Sequence, residues 1–137
     1  MHNLPSPDTS DNGIEREIQA KGLTAPRVTP ADIEARIASE HYFTAAQGDA
    51  QAKMDAVFAR GGAIDGEGAA SPDPLSLLTF CVLVLKNGFT VTGESACASP
   101  ENFDAAIGRK IARENAKQKL WPLLGYALKD RLHKEKV

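Results

Sequence analysis

Cysteine, histidine and aromatic residues are scarce in this chain, and long apolar runs are missing altogether. The two cysteines, Cys81 and Cys97, cannot form a disulfide framework, so a reduced compartment, the cytoplasm, is the expectation. The three histidines, His2, His41 and His133, are scattered too widely to suggest a metal set or a Ser/Cys–His pair. No metal and no cofactor are expected. No stretch approaches the roughly 20 apolar residues needed to cross a bilayer, and the N-terminus lacks a charged-then-apolar signal pattern. A membrane partner is therefore not expected. Aromatics make up 6% of the chain, which leaves few platforms on which nucleic-acid bases could stack.

The 137 residues suffice for one domain. Residues 1–13 and 61–74 are rich in Gly, Pro, Asp and Ala and offer little to bury. The expected organisation is a disordered tail over 1–13 and a single α+β domain over 14–137, with a loop insert around 44–76. The core left by the loose stretches is small, which favours a homo-oligomer, a dimer or higher. The net charge of −2 hides an asymmetry: residues 109–137 carry nine basic and three acidic side chains, residues 1–108 seven basic and fifteen acidic. Such halves suit an anionic partner or a neighbouring subunit, although two solvated faces of one domain would give the same count.

Ile14 and Ile18 predict a short amphipathic helix ended by Gly22. Thr29-Pro30 with Asp32 predicts a second helix, with Ile33 and Ile37 as its apolar stripe and Tyr42-Phe43 closing it. Residues 51–60 suggest a weaker helix carrying Met54, Val57 and Phe58. Leu77–Leu85 is a β-prone run, and Asn87-Gly88 is the dipeptide of a two-residue type I′ turn. That turn pairs Leu85 with Thr90, Val84 with Val91, Leu83 with Thr92 and Cys81 with Glu94, and puts Cys81 and Cys97 on opposite faces, unbonded. The first strand is apolar on both faces and calls for cover on both, by helices on one side and a second subunit on the other.

Ser99-Pro100-Glu101 predicts the start of a long helix reaching Trp121, where Pro122 interrupts it. Phe103, Ile107 and Ile111 form one edge of its expected buried face, and Gly108, Ala112 and Ala116 the other. A last helix from about Leu123 buries Leu124, Leu128 and Leu132. The fold class is thus α+β: a two-stranded antiparallel hairpin packed against a long C-terminal helix, plus shorter N-terminal helices.

Candidate binding residues lie on the long helix. Arg109, Lys110, Arg113 and Lys117 gather on the side away from the sheet and could hold phosphates, although such a row is more often a solvated face. Asn115 and Lys119, four apart, point between the two packed edges. They could recognise a ligand, or Asn115 could satisfy a strand-end carbonyl while Lys119 extends to solvent. Both helix N-termini that open on proline are poor anion sites, having lost a donor and being filled by carboxylates. No catalytic residues are expected. Gly93-Glu94-Ser95-Ala96-Cys97 lacks the last glycine of a nucleophile elbow, and Gly66-Glu67-Gly68 follows no strand.

Two stretches, Lys21–Phe43 and Phe80–Tyr126, resemble the gene-product-forty-nine-like family of small tailed-phage and prophage accessory proteins. The words that carry the resemblance are L-K-N-G-F, T-G-E-S, S-P-E-N-F-D and I-G-R-K-I-A-x-x-N-A. It departs at Thr44–Ser76, where relatives pass from helix to hairpin through a shorter link. The resemblance implies a phage-encoded protein working in the cytoplasm of a bacterial host, and carries no activity with it. The expected function is a non-enzymatic accessory protein that modulates the host by binding, in counter-defence. It would sequester an anionic nucleotide signal, a small molecule, or block a host protein. The alternative is nucleic-acid binding through the basic face of the long helix, and a virion assembly role is a third class.

Overall fold

The computed structural model describes residues 6–62 and 70–136. His2 and the Gly66–Gly68 stretch lie outside them. The chain divides into two compact units, residues 1–36 with 120–137, and residues 37–119.

In the first unit, α1 (Asp11–Ala20) starts three residues before Ile14 because the Ser10 hydroxyl accepts the Gly13 amide. Gly22, at φ +68°, follows its end. Helix α2 (Pro30–Ala35) carries the expected cap, reciprocal between Thr29 and Asp32, but lasts only six residues. Helix α5 (Leu120–Glu135) contains Pro122 without interruption. The proline sits in the first turn, where its missing amide has no intrahelical partner. Leu124, Leu128 and Leu132 are half-buried rather than buried, and only Leu120 of this helix is fully enclosed.

The second unit holds a three-stranded antiparallel sheet of order β1-β2-β3. Its strands are β1 (Ile37–Thr44), β2 (Leu78–Leu85) and β3 (Thr90–Ala96). The expected two-stranded hairpin is therefore corrected by β1, which takes in residues 37–43, a stretch the sequence predicts as helix. Pairing with β2 along the whole strand outweighs the weak helical preference of Tyr42, Phe43 and Thr44. As the middle strand, β2 has no free edge, so a second copy could meet it only across a sheet face. Thr44 ends β1 and also caps α3 (Ala45–Ala59), reciprocally with Gln47. Met54 and Phe58 of α3 are exposed.

The hairpin register differs by one residue from the type I′ expectation. Gly88 N–H donates to Leu85 O at 2.8 Å, Leu85 N–H donates to Phe89 O at 2.8 Å, and Gly88 alone in this loop has positive φ, +87°. Lys86-Asn87-Gly88 is thus a three-residue loop, a type I turn closed by a left-handed glycine. Asn87 keeps negative φ and uses its Oδ1 to accept the Phe89 amide at 3.0 Å. The slip pairs Leu83 with Val91, Cys81 with Gly93 and Phe80 with Glu94. It also puts Cys81 and Cys97 on the same face, four residues apart along the sheet, roughly 13 Å, and both thiols are free.

One face of the sheet is packed by α4 (Ala105–Gln118) and buries Thr79, Cys81, Leu83, Leu85 and Val91. Ser99-Pro100 opens only a 3-10 turn, Pro100–Asn102, because Phe103 is extended at ψ 126°. The cap of α4 is Asp104, whose carboxylate accepts the Ile107 amide at 3.0 Å. Gly108, Ala112 and Ala116 lie flat on the sheet as expected, but Ile107 and Ile111 do not. They are 56% and 47% exposed. The reason is Gly93: a Cβ there would overlap the Ala112 carbonyl oxygen and the Ala116 amide, and would sit 2.9 Å from Ala116 Cα. Backbone approach that close seats the small-residue edge and leaves the isoleucine edge overhanging β3.

Candidate functional site

Glu40 and Tyr42 are two residues apart on β1 and share a sheet face. Their cross-strand partners, Leu83 and Cys81, are buried under α4, so this is the helix-covered face. Along α4, Arg109, Arg113 and Lys117 recur every four residues, which spaces their Cβ atoms by about 6 Å on one flank. That flank faces the sheet at β1, and not away from it as the helical periodicity predicts, because β1 extends the sheet beyond the two-stranded hairpin. The Arg113 Nε donates to Glu40 Oε2 at 2.9 Å, and the Tyr42 hydroxyl donates to Glu40 Oε1 at 3.0 Å. The Arg113 and Glu40 side chains remain 27% and 40% exposed, within reach of a solute.

Of the six candidates, the structure brings together Arg109, Arg113 and Lys117, with Lys110 exposed beside them. Lys117 is more buried than a solvated face implies and pairs with Glu114 at 3.4 Å. Asn115 and Lys119 do not join this group. Asn115 Nδ2 donates to Glu94 O at 2.8 Å, on the free edge of β3. Odd-numbered residues of β3 bond to β2, as Cys97 N–H to Leu77 O shows, so the Glu94 carbonyl points outward. Asn115 thus satisfies a strand carbonyl, and Lys119 is the C-cap of α4. Of the two expected helices that open on proline, α2 does so and α4 does not, beginning at Ala105 under its Asp104 cap. Glu40 and Tyr42 are not legible as site residues in the sequence, because the Thr29-Pro30 start predicts a helix over their segment. The signal available was the β-prone triplet Tyr42-Phe43-Thr44.

Tyr42 also stands directly opposite the buried Cys81 in the pairing of β1 with β2. Burial, then the bond to Glu40, holds the Tyr42 phenol above its ordinary value of 10.0. Burial likewise pushes the Cys81 thiol above 9.0, with the Tyr42 contact opposing. In both groups the folded chain keeps its proton more tightly than the unfolded one. Stability is therefore full below these ordinary values and falls as pH rises past them. Urea midpoints measured between about pH 8 and 11 should decline, and Tyr42→Phe should remove part of that slope. A flat profile would contradict the half-buried phenol and the buried thiol.

Two other concavities lie among the described residues. A pocket of about 120 Å³ at the start of α4, lined by Thr79, Cys97, Phe103 and Ile107 among others, is small beside the roughly 300 Å³ of typical ligand sites. An open, shallow groove of about 480 Å³ in the first unit runs past Gln19, Leu23 and Arg27, whose guanidinium is already forked onto Glu15. Ser39 Oγ lies 3.0 Å from His41 Nε2, a Ser–His contact that spacing alone did not suggest. The pair sits on an edge strand with His41 exposed. Ser95 lies at the end of β3 and Cys97 just past it, not at a strand-to-helix elbow. Among the described residues, no group of three or more His, Cys, Asp or Glu could hold a metal ion, and no helix is long and apolar enough to cross a membrane.

No curated protein and no solved structure matches the chain. Residues 28–132 match the family described as phage protein (N4 Gp49/phage Sf6 gene 66), a span that starts beside the α2 cap, runs through the Thr44–Ser76 segment and ends in α5. With all three strands and the basic flank of α4 inside that span, the chain belongs to this family of phage proteins.

Proposed function

We propose that the chain is a non-enzymatic phage accessory protein that acts in the host cytoplasm, in counter-defence, by binding an anionic nucleotide signal on the β1-facing flank of α4. The observation that carries this reading is the row Arg109–Arg113–Lys117, with the Arg113 guanidinium oriented by Glu40 and still open to solvent. Cations at steps of about 6 Å suit a ligand with more than one phosphate, and arginine offers the better fork for each. Tyr42 adds an aromatic ring beside the same flank. An oligomer fits the same reading, because Phe43, Phe80, Val82 and Val84 leave the other sheet face only partly covered. Native mass spectrometry would read its stoichiometry.

Isothermal titration against cyclic oligonucleotides and cyclic NAD-derived nucleotides tests the binding. A complex is expected that Arg113→Ala weakens by about 10- to 100-fold, the range of a charged hydrogen bond. Binding to none of them removes this reading. If the same flank instead bound nucleic acid, log affinity would fall with log salt by roughly 0.9 per phosphate neutralised, with no dependence on base identity. Blocking a host protein would appear as a co-purified polypeptide.

A further inference from the structure

We propose that Glu40 is a built-in counter-anion that occupies the Arg113 position until a multiply charged phosphate displaces it, so that the flank selects for ligand charge. This rests on the anion-binding reading of the same flank. Three observations support it. Glu40 engages both carboxylate oxygens, Oε2 with Arg113 at 2.9 Å and Oε1 with Tyr42 at 3.0 Å, which fixes it in the place a phosphate oxygen would take. It lies on an edge strand, where backbone and side chain have room to swing away. The ion pair is also partly exposed, and such pairs are weak enough for a stronger anion to replace.

The physical consequence is a threshold. A singly charged anion gains no more from Arg113 than Glu40 already does, and must also approach the carboxylate. A pyrophosphate meets Arg109 and Arg113 together, releases Glu40 to solvent and keeps a net gain. Tyr42 sets the height of this threshold. Its hydroxyl bond holds Glu40 in place, and its own backbone is held by the pairing of β1 with β2 opposite Cys81.

The test is isothermal titration of the full chain with inorganic pyrophosphate. Glu40→Gln should tighten binding by about five- to tenfold, the scale of one exposed ion pair plus relieved repulsion. Tyr42→Phe, which changes no charge, should give a smaller gain in the same direction. Glu94→Gln removes an equal charge from the other face of the sheet and should stay within about twofold of the parent, as expected of a distant exposed charge. An affinity for Glu40→Gln no higher than that of the parent or of Glu94→Gln overturns the counter-anion role. If the parent binds pyrophosphate and loses it in Arg113→Ala while Glu40→Gln changes nothing, that role alone falls. If pyrophosphate binds no variant, both readings fall.

Discussion

Gly93→Ala is expected to destabilise the sheet unit by about 3 kcal/mol or more, and Gly93→Val to prevent it from folding. The added methyl has nowhere to go. It would meet the backbone of α4 at Ala112 and Ala116, not the movable end of a side chain. The helix would have to lift off the sheet, taking with it the burial of Leu83 and Val91 and the placement of Arg113 over Glu40. Denaturant unfolding reads the effect directly. Gly125→Ala supplies the contrast, because nothing lies within 4 Å of a Cβ there and the residue is in mid-helix. That change should be neutral or stabilising by up to about 1 kcal/mol. A Gly93→Ala protein as stable as the parent would refute the close approach of α4.

Leu83→Ala should cost about 2–5 kcal/mol, the range for emptying a fully buried leucine site. Leu83 is wholly enclosed on the central strand, between β1 and β3 and beneath α4. Its neighbour Val84 points to the other face and is only half-buried, so Val84→Ala should cost about 1 kcal/mol or less. The pair measures the hairpin register as well as the core. In the observed pairing Leu83 stands opposite Val91 on the buried face; with a two-residue turn it would stand opposite Thr92. Equal costs at the two positions would indicate that the faces are not divided as described.

Several features are legible in the sequence. The α+β class, the β2–β3 hairpin at Asn87-Gly88, the left-handed Gly22, the Thr29 cap and the small-residue face of α4 all follow from local chemistry. Each depends on residues within a few positions of one another, where turn and cap preferences act. Helix length was less legible. Ser99-Pro100 has the composition of a cap, yet the extended Phe103 passes that role to Asp104. Leu124, Leu128 and Leu132 have the spacing of a buried stripe, but spacing does not supply something to pack against.

The candidate flank was half legible. Arg109, Lys110, Arg113 and Lys117 follow from helical periodicity alone, while Glu40 and Tyr42 reach them only through the pairing of β1 with β2. That contact closes across 73 residues of chain, and no local preference encodes it. The same holds for the exposed Ile107 and Ile111, displaced by one glycine on another strand. Residue chemistry by itself determined which segments turn, cap and carry charge. Only the assembled sheet decided which face of α4 is buried and which carboxylate meets Arg113, because strand order, register and backbone approach are set by packing between distant parts of the chain.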